Sequence, residues 1–236
     1  MSAISQARRL SAAAGCAVVV GLGGLAAAGP ASAAAAPQVH SQSPAATTYS
    51  ALRSVQVPAS SISPALRTRL AASGVAPATT YTGYLLANDT YPADLCLDAN
   101  DAGSTAGKNG DKVQLWTCDY TPNQIWIPLG LEENPAGGPS TIMVNDEYGS
   151  MCLNADDSSG LANGKHVQLW ECDVYTDNEY WNFGDMLDGS SAYLGLYSSP
   201  YVLDATEDSF GNGDQVQIWT PLGGANQYWI PYDASN

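Results

Sequence analysis

Three short segments carry an acid or amide that stands 13 to 16 residues ahead of a Gln-aliphatic-Trp triplet. They are Cys96-Leu97-Asp98 before Gln114-Leu115-Trp116, Cys152-Leu153-Asn154 before Gln168-Leu169-Trp170, and Val202-Leu203-Asp204 before Gln217-Ile218-Trp219. After each triplet comes an amide-rich step into a second tryptophan: Asn123-Gln124-Ile125-Trp126, Asn178-Glu179-Tyr180-Trp181 and Asn226-Gln227-Tyr228-Trp229. A carboxylate accepts from two adjacent hydroxyls, and charged acceptors make the stronger hydrogen bonds. An Asp, an aromatic plate and an amide converging on one pocket suit a sugar, with vicinal hydroxyls on its edge and C–H groups on its face. A lone Asp of this kind is ordinarily a turn residue capping a backbone N–H. Recurrence in register makes the joint pattern more specific than its parts.

The elements that must position these groups are strands. Side chains alternate along a strand, so Val113 and Leu115 share one face and Gln114 and Trp116 the other. Val167/Leu169 against Gln168/Trp170 and Val216/Ile218 against Gln217/Trp219 repeat the division. If the aliphatic face is core, Trp116, Trp170 and Trp219 point outward beside polar groups, as a shallow binding site requires. Trp126, Trp181 and Trp229 sit among apolar residues and are expected in the core, where aromatic side chains dominate packing.

From Tyr81 onward, short β-rich runs are separated by Asn, Asp, Gly and Pro clusters, with no helix-period segment long enough to cover a sheet. A repeat of about 50 residues marks an architecture whose units bury one another. The reading is an all-β domain of three similar units, near 81 to 129, 140 to 184 and 192 to 233.

The N-terminal third differs in composition. Arg8 and Arg9, the apolar stretch from Leu10 to Ala28 and Ala31-Ser32-Ala33 read as an export signal over residues 1–33. A retained membrane span is disfavoured because most of the stretch is Ala and Gly. Residues 34–80 are Ala, Ser, Pro and Thr-rich and read as a linker. One local exception is a short helix expected near 64–73, with Ser63 as N-cap, Pro64 at the first position and Gly74 at the end.

Export places Cys96, Cys118, Cys152 and Cys172 in an oxidising compartment. The repeat selects Cys96–Cys118 and Cys152–Cys172 as disulfides, with Val202 and Pro221 at the matching positions of the third unit. Paired zinc-ligand spacing is missing, so no metal site is expected. All 23 acidic residues fall after position 88, where Lys108, Lys112 and Lys165 are the only cations, a formal charge of −20 for residues 81–236. That field repels phosphate backbones and anionic lipid, which excludes nucleic acid and membrane surfaces as partners and leaves neutral ligands or cations.

The threefold series resembles the ricin B-type lectin family, which includes the family 13 carbohydrate-binding modules of many bacterial glycoside hydrolases. The resemblance covers residues 81–236 and, with the export signal, points to the secreted bacterial type. It implies a β-trefoil of three pseudo-threefold repeats with up to three shallow sugar sites, α, β and γ, and no cofactor. The α site would use Asp98, Gln114, Trp116, Asn123 and Gln124, and the γ site Asp204, Gln217, Trp219, Asn226 and Gln227. The β site, with Asn154, Gln168, Trp170, Asn178 and Glu179, departs from the pattern: Asn154 stands where Asp is expected and Glu179 where Gln is expected. It loses its charged acceptor and is the compromised site of the three.

The function this implies is a secreted, extracellular, non-catalytic protein that binds neutral glycans or polysaccharides. Two other classes stay open on sequence: a glycoside hydrolase using a carboxylate pair, whose separation sequence does not show, and a protein-binding trefoil such as an inhibitor or toxin component, with the outward tryptophans as interface residues.

Overall fold

A computed structural model of the chain describes residues 54–90, 94–134, 138–183, 186, 190–206 and 210–232. The expected export signal and the start of the expected linker lie outside the described residues. All described residues belong to one compact unit, Thr47–Asn236.

The described residues form fourteen strands: β1 (Val55–Pro58), β2 (Thr80–Asn88), β3 (Leu95–Ala99), β4 (Asp111–Thr117), β5 (Ile125–Asn134), β6 (Gly138–Asn145) and β7 (Met151–Ala155), then β8 (Lys165–Glu171), β9 (Tyr180–Asn182), β10 (Ala192–Tyr193), β11 (Gly195–Leu196), β12 (Val202–Ala205), β13 (Val216–Trp219) and β14 (Tyr228–Tyr232). Alternation decides which way each hairpin faces. Val113, Leu115, Val167, Leu169, Val216 and Ile218 are fully buried, as are Leu97, Leu153 and Leu203 on the partner strands. Turning that face inward puts Gln114, Gln168 and Gln217 on the other one.

The first and last strands of each repeat close a barrel through antiparallel pairs: β2 with β5, β5 with β6, β6 with β9, β9 with β11, β10 with β14, and β14 with β2. The middle strands form the hairpins β3–β4, β7–β8 and β12–β13. These hairpins pair with one another as a triangular cap, β4 with β8 and β8 with β13, and a bridge from Gln114 to Gln215 closes the ring. This is the β-trefoil that the repeat implied.

One residue at the centre of the cap escapes the repeat pattern. The Gln215 side-chain amide donates to the carbonyls of Val113 at 3.1 Å, Val167 at 2.9 Å and Val216 at 2.7 Å, the matching valines of all three repeats. Lys112 and His166 occupy the corresponding positions in the other repeats, so no threefold sequence signal points to it.

Trp126, Trp181 and Trp229 are fully buried. Each indole Nε1–H donates to the carbonyl of the leucine beside the site residue: Leu97 at 2.9 Å, Leu153 at 2.9 Å and Leu203 at 3.1 Å. The disulfides pair as the repeat selected, Cys96–Cys118 and Cys152–Cys172, with Cα–Cα distances of 5.1 and 4.9 Å. Loops of this size contribute on the order of 3 kcal/mol each by constraining the unfolded chain. In the third repeat Val202 is buried where a cysteine stands in the others.

The linker reading is corrected for residues 54–80. β1 pairs with β2 in antiparallel register, and the helix α1 (Pro64–Ala72) forms close to its expected bounds, with Ser63 Oγ accepting from Leu66 N–H at 3.2 Å. Val57, Ile62, Leu66 and Leu70 are buried in a core cluster with Leu85, Ile125, Ile127 and Ile142 of the trefoil. Average composition hid four apolar side chains spaced to meet one surface. A helix of this length is marginal alone in water, and tertiary packing supplies what it lacks.

Gly149 marks where this segment rests. Ser63 N–H donates to its carbonyl at 2.8 Å, and a Cβ built there would lie 1.7 Å from the Ser61 carbonyl oxygen. Gly149→Ala is therefore expected to cost about 1–3 kcal/mol by overpacking, read as a lower denaturant midpoint together with faster proteolysis of residues 54–80. An unchanged midpoint and cleavage rate would show that the segment is not seated against Gly149.

Candidate functional site

The cap hairpins bring the site residues together through register. Asp98 stands directly opposite Gln114, and Cys96 opposite Trp116. Asn154 opposite Gln168 with Cys152 opposite Trp170, and Asp204 opposite Gln217 with Val202 opposite Trp219, repeat the geometry. Each polar pair thus lies two residues along the strand from its tryptophan, on the same face.

In the α site the buried Asp98 carboxylate is held by three amides. Oδ1 accepts from Gln114 Nε2 at 2.9 Å, and Oδ2 accepts from Asn123 Nδ2 at 2.9 Å and Gln124 Nε2 at 3.1 Å. Asn123 also donates to Ala99 O, and Gln124 to Thr117 O, while Gln124 Oε1 accepts from the Asp119 and Tyr120 N–H groups. Gln124 is fully buried and supports Asp98 from within the fold. The turn Pro122–Gln124 is a single 3-10 helix that presents both amides to the carboxylate.

The γ site is a close copy. Asp204 Oδ1 accepts from Gln217 Nε2 at 2.7 Å, and Oδ2 accepts from Asn226 Nδ2 at 3.0 Å and Gln227 Nε2 at 2.9 Å. Gln227 again donates to a backbone carbonyl, Thr220 O, and accepts from Leu222 N–H.

At the β site the two departures from the pattern prove to be one exchange. Gln168 Nε2 donates to Asn154 Oδ1 at 3.1 Å, and Asn154 Nδ2 donates to Glu179 Oε1 at 3.1 Å. Glu179 Oε2 accepts from Asp173 N–H at 2.7 Å. The carboxylate missing at 154 is therefore present one hydrogen bond away. The charged acceptor is relocated to the turn position and buried there, with Glu179 1% exposed. All five expected β-site residues line one open hollow of ≈ 520 Å³, together with Asp156, Asp157 and Asp173 on its rim. Asp156 is paired with Lys165 at 3.5 Å.

The tryptophan plates divide less evenly. Trp116 and Trp170 are exposed, at 39% and 41%, whereas Trp219 is half-buried. The Asn163-Gly164 turn of the second repeat lies near it, so that a Cβ on Gly164 would stand 3.5 Å from Trp219 Cζ3. Each repeat holds the next one's plate. Thr117 N–H donates to Asn212 Oδ1 at 2.7 Å, Glu171 N–H to Asn109 Oδ1 at 2.6 Å, and Thr220 N–H to Asn163 Oδ1 at 2.9 Å. Tyr120, Tyr175 and Leu222 add exposed apolar surface in the loops after the plates. These loop residues carry no common letter across the repeats, which is why register reasoning passed over them.

A larger cavity of ≈ 610 Å³ lies at the seam between α1 and strands β2, β5 and β6, lined by residues such as Leu70, Tyr81, Leu129 and Phe183. Among the described residues, no carboxylate and none of the expected site residues line it.

Burial pushes the Asp98 carboxyl up to about 6, against the hydrogen bonds from Gln114 and Gln124, with the charges of Asp101 and Asp119 adding to the rise. Burial pushes Glu179 further, to about 7, opposed by the hydrogen bonds from Asp173 N–H and Asn154. The second shift has a stability consequence. Below the ordinary value of 4.5 both folded and unfolded chains are protonated and this group costs nothing. As pH rises from there to about 7 the unfolded chain releases the proton while the fold retains it, so stability falls, by on the order of 3 kcal/mol in full. Glu179→Gln is expected to remove this component: the difference in melting temperature between wild type and variant should move in the variant's favour from pH 5 to pH 8. Parallel pH profiles would show that Glu179 is not the group responsible.

The sequence matches the ricin-type beta-trefoil lectin domain family over residues 85–229, more than half of the chain. Among solved structures it is similar to ThreeFoil, a designed threefold symmetric protein, with a TM-score of 0.54 and 23% identity over 64% of this chain and 98% of that one. It is also similar to a mosquitocidal holotoxin, with a TM-score of 0.50 and 15% identity over 66% of this chain and 17% of the toxin's. The agglutinin from Abrus precatorius shows a TM-score of 0.48 and 19% identity over 68% of this chain and 51% of that one. These likenesses concern the fold. No curated protein sequence matches the chain. The matched span contains all three hairpins, their buried carboxylates and their tryptophans, and on that match the chain belongs to the ricin-type β-trefoil lectin domain family.

Proposed function

We propose that this protein is a non-catalytic carbohydrate-binding protein that works outside the cell and takes neutral glycans at the α and γ sites. The observation that carries this reading is the repeated carboxylate: Asp98 and Asp204 are each held by three side-chain amides in the same arrangement. The amides fix each carboxylate as an acceptor, and at Asp98 they leave lone pairs for ligand hydroxyls. Trp116 and Trp219 supply the apolar wall against which a sugar face can lie. The acidic surface favours neutral over anionic saccharides. Two disulfides fit an oxidising compartment, in keeping with the export signal expected over residues 1–33.

Linking two sites on one polysaccharide raises avidity by a factor of about 100 or more when the ligand spans both. Asp98→Ala combined with Asp204→Ala removes the charged acceptor from each site, and one such hydrogen bond contributes about 1.5–3 kcal/mol. The double variant is expected to lose retention on a polysaccharide column that holds the wild type, and unchanged retention would exclude these sites. The pH dependence follows from the acceptor role. Asp98 binds hydroxyl donors as the ionised form, so α-site affinity measured in an Asp204→Ala background should fall as pH drops below about 6. Affinity flat from pH 7.5 to 4.5 would show that the Asp98 charge takes no part.

A raised carboxyl beside other acids is also the pattern of a general acid. Asp98 has that feature, but its oxygens are engaged by three amides that hold it as an acceptor. Release of reducing sugar from a bound polysaccharide, abolished by Asp98→Asn, would replace the binding reading with a hydrolytic one.

A further inference from the structure

The cavity of ≈ 610 Å³ beside α1 lies where two barrel strands diverge. β2 and β5 pair at Tyr84 with Trp126 and at Leu85 with Ile125. Ahead of Tyr84, β2 runs with β1, from Pro58 opposite Thr80 to Val55 opposite Gly83, while β5 continues along β6 to Asn134. Pro128 has no N–H to offer a neighbouring strand, and the β5–β6 register shifts between Leu129 and Glu132, a bulge that contains Gly130 at φ +77°. The end of α1 and residues 73–78 form the third wall of this fork. That wall is held in place. Gly74 N–H donates to Ala71 O at 3.2 Å and Val75 N–H to Leu70 O at 2.9 Å, and Val75 lies 3.8 Å from where a Cβ on Gly130 would stand.

The lining belongs to this chain and not to its repeat. More than half of the lining residues precede residue 85, where the family match begins. The three strand positions paired with the barrel tryptophans are unlike: Tyr84 opposite Trp126, Thr141 opposite Trp181 and Ala192 opposite Trp229. The Tyr84 ring packs on Phe183 with centroids 5.1 Å apart, and Tyr81 and Tyr180 add two further rings to the walls. Burial raises the Tyr84 phenol above its ordinary value, and among the described residues its hydroxyl makes no hydrogen bond. No charged side chain among the described residues lines the cavity.

We propose that this cavity is a binding site for a neutral aromatic small molecule, which lies against the Tyr84 and Phe183 rings and shares a hydrogen bond with the Tyr84 hydroxyl. It has no residue in common with the α, β or γ sites, so it adds a second ligand class to the carbohydrate reading and does not depend on it. Charge decides among ligands. The formal charge of −20 over residues 81–236 repels an anion, and a cation would enter uncharged walls without a counter-ion. A ring gains stacked or edge contact with Tyr84 and Phe183 beyond the area it buries, which an aliphatic chain does not. A peptide, from this chain or another, would bring an N–H and a C=O per residue into walls that are mostly apolar. The volume falls in the range of small-ligand sites, and walls fixed before binding leave little to be ordered by the ligand.

The test uses the full-length chain and two fluorescent probes with the same rings, neutral N-phenyl-1-naphthylamine and anionic 8-anilinonaphthalene-1-sulfonate. The neutral probe is expected to bind at about one per chain and about 10-fold tighter than the anionic one. Thr82 is half-buried on the strand face of Tyr84, and Ala78 is exposed at the rim. Thr82→Trp and, separately, Ala78→Trp place an indole in the cavity and should weaken the neutral probe about 10-fold, with melting temperature and polysaccharide retention as in the wild type. Tyr84→Phe removes the hydroxyl alone and should weaken the probe about 2- to 10-fold, which keeps the test decisive if the tryptophan variants fail to fold. An excess of polysaccharide should leave the probe bound. No binding of the neutral probe, equal binding of the two probes, binding untouched by the folded tryptophan variants or by Tyr84→Phe, or displacement by polysaccharide overturns the inference. Probe release as the chain dimerises would make a second copy the occupant and overturns it too. Retention on polysaccharide by the wild type is read separately, so the carbohydrate reading stands or falls on its own.

Discussion

A buried indole has one polar atom, and this fold depends on where that atom finds its partner. Trp126, Trp181 and Trp229 are fully enclosed, so each Nε1–H must be satisfied inside the protein or cost the desolvation of an unpaired donor. Each takes the carbonyl of the leucine immediately before Asp98, Asn154 or Asp204. That bond ties the closing barrel strand of a repeat to the cap strand that carries the site residue. Losing it would leave a buried donor unpaired and free the site strand from the barrel in the same event. Core packing and site geometry are therefore one constraint here.

Antiparallel register then does the rest of the positioning. With Leu97, Leu153 and Leu203 held inward, the neighbouring residue must face the other way, and the opposite strand brings a glutamine directly across from it. In the α and γ sites the amides of the single-turn helices before the barrel tryptophans take the other carboxylate oxygen, Oδ2. The resulting carboxylates are expensive to bury, as the rise of Asp98 to about 6 and Glu179 to about 7 shows. They remain because each is surrounded by donors that no apolar replacement could satisfy.

Threefold symmetry of the backbone does not extend to the chemistry it carries. The Trp219 plate is partly covered by the preceding repeat, while Trp116 and Trp170 stand open. Among the three equivalent positions Gln215 is the one that sends an amide to the cap axis, where it serves three equivalent carbonyls. At the β site the acid and the amide have exchanged places, preserving one carboxylate and one hydrogen bond between the two positions but reversing its direction. Pseudo-symmetry of this kind lets one scaffold hold sites of unlike polarity, because the backbone tolerates either member of the pair at either position.

The sequence by itself determined whatever follows from periodicity. Strand alternation separated the outward tryptophans from the buried ones, the repeat paired the cysteines, and the recurring Asp, Gln and Asn positions named the residues that the hairpins bring together. Each of these needs only the period of a strand and the comparison of one repeat with another. Tertiary structure decided the matters in which unlike segments meet. Residues 54–80 have the average composition of a linker, yet four of their side chains enter the core, because burial depends on what surface a side chain reaches and not on the composition around it. Asn154 and Glu179 are 25 residues apart, and each alone looked like the loss of a functional group. Only their contact shows the pair of the other repeats with its donor and acceptor exchanged, since the direction of a hydrogen bond belongs to two residues together and is written in neither.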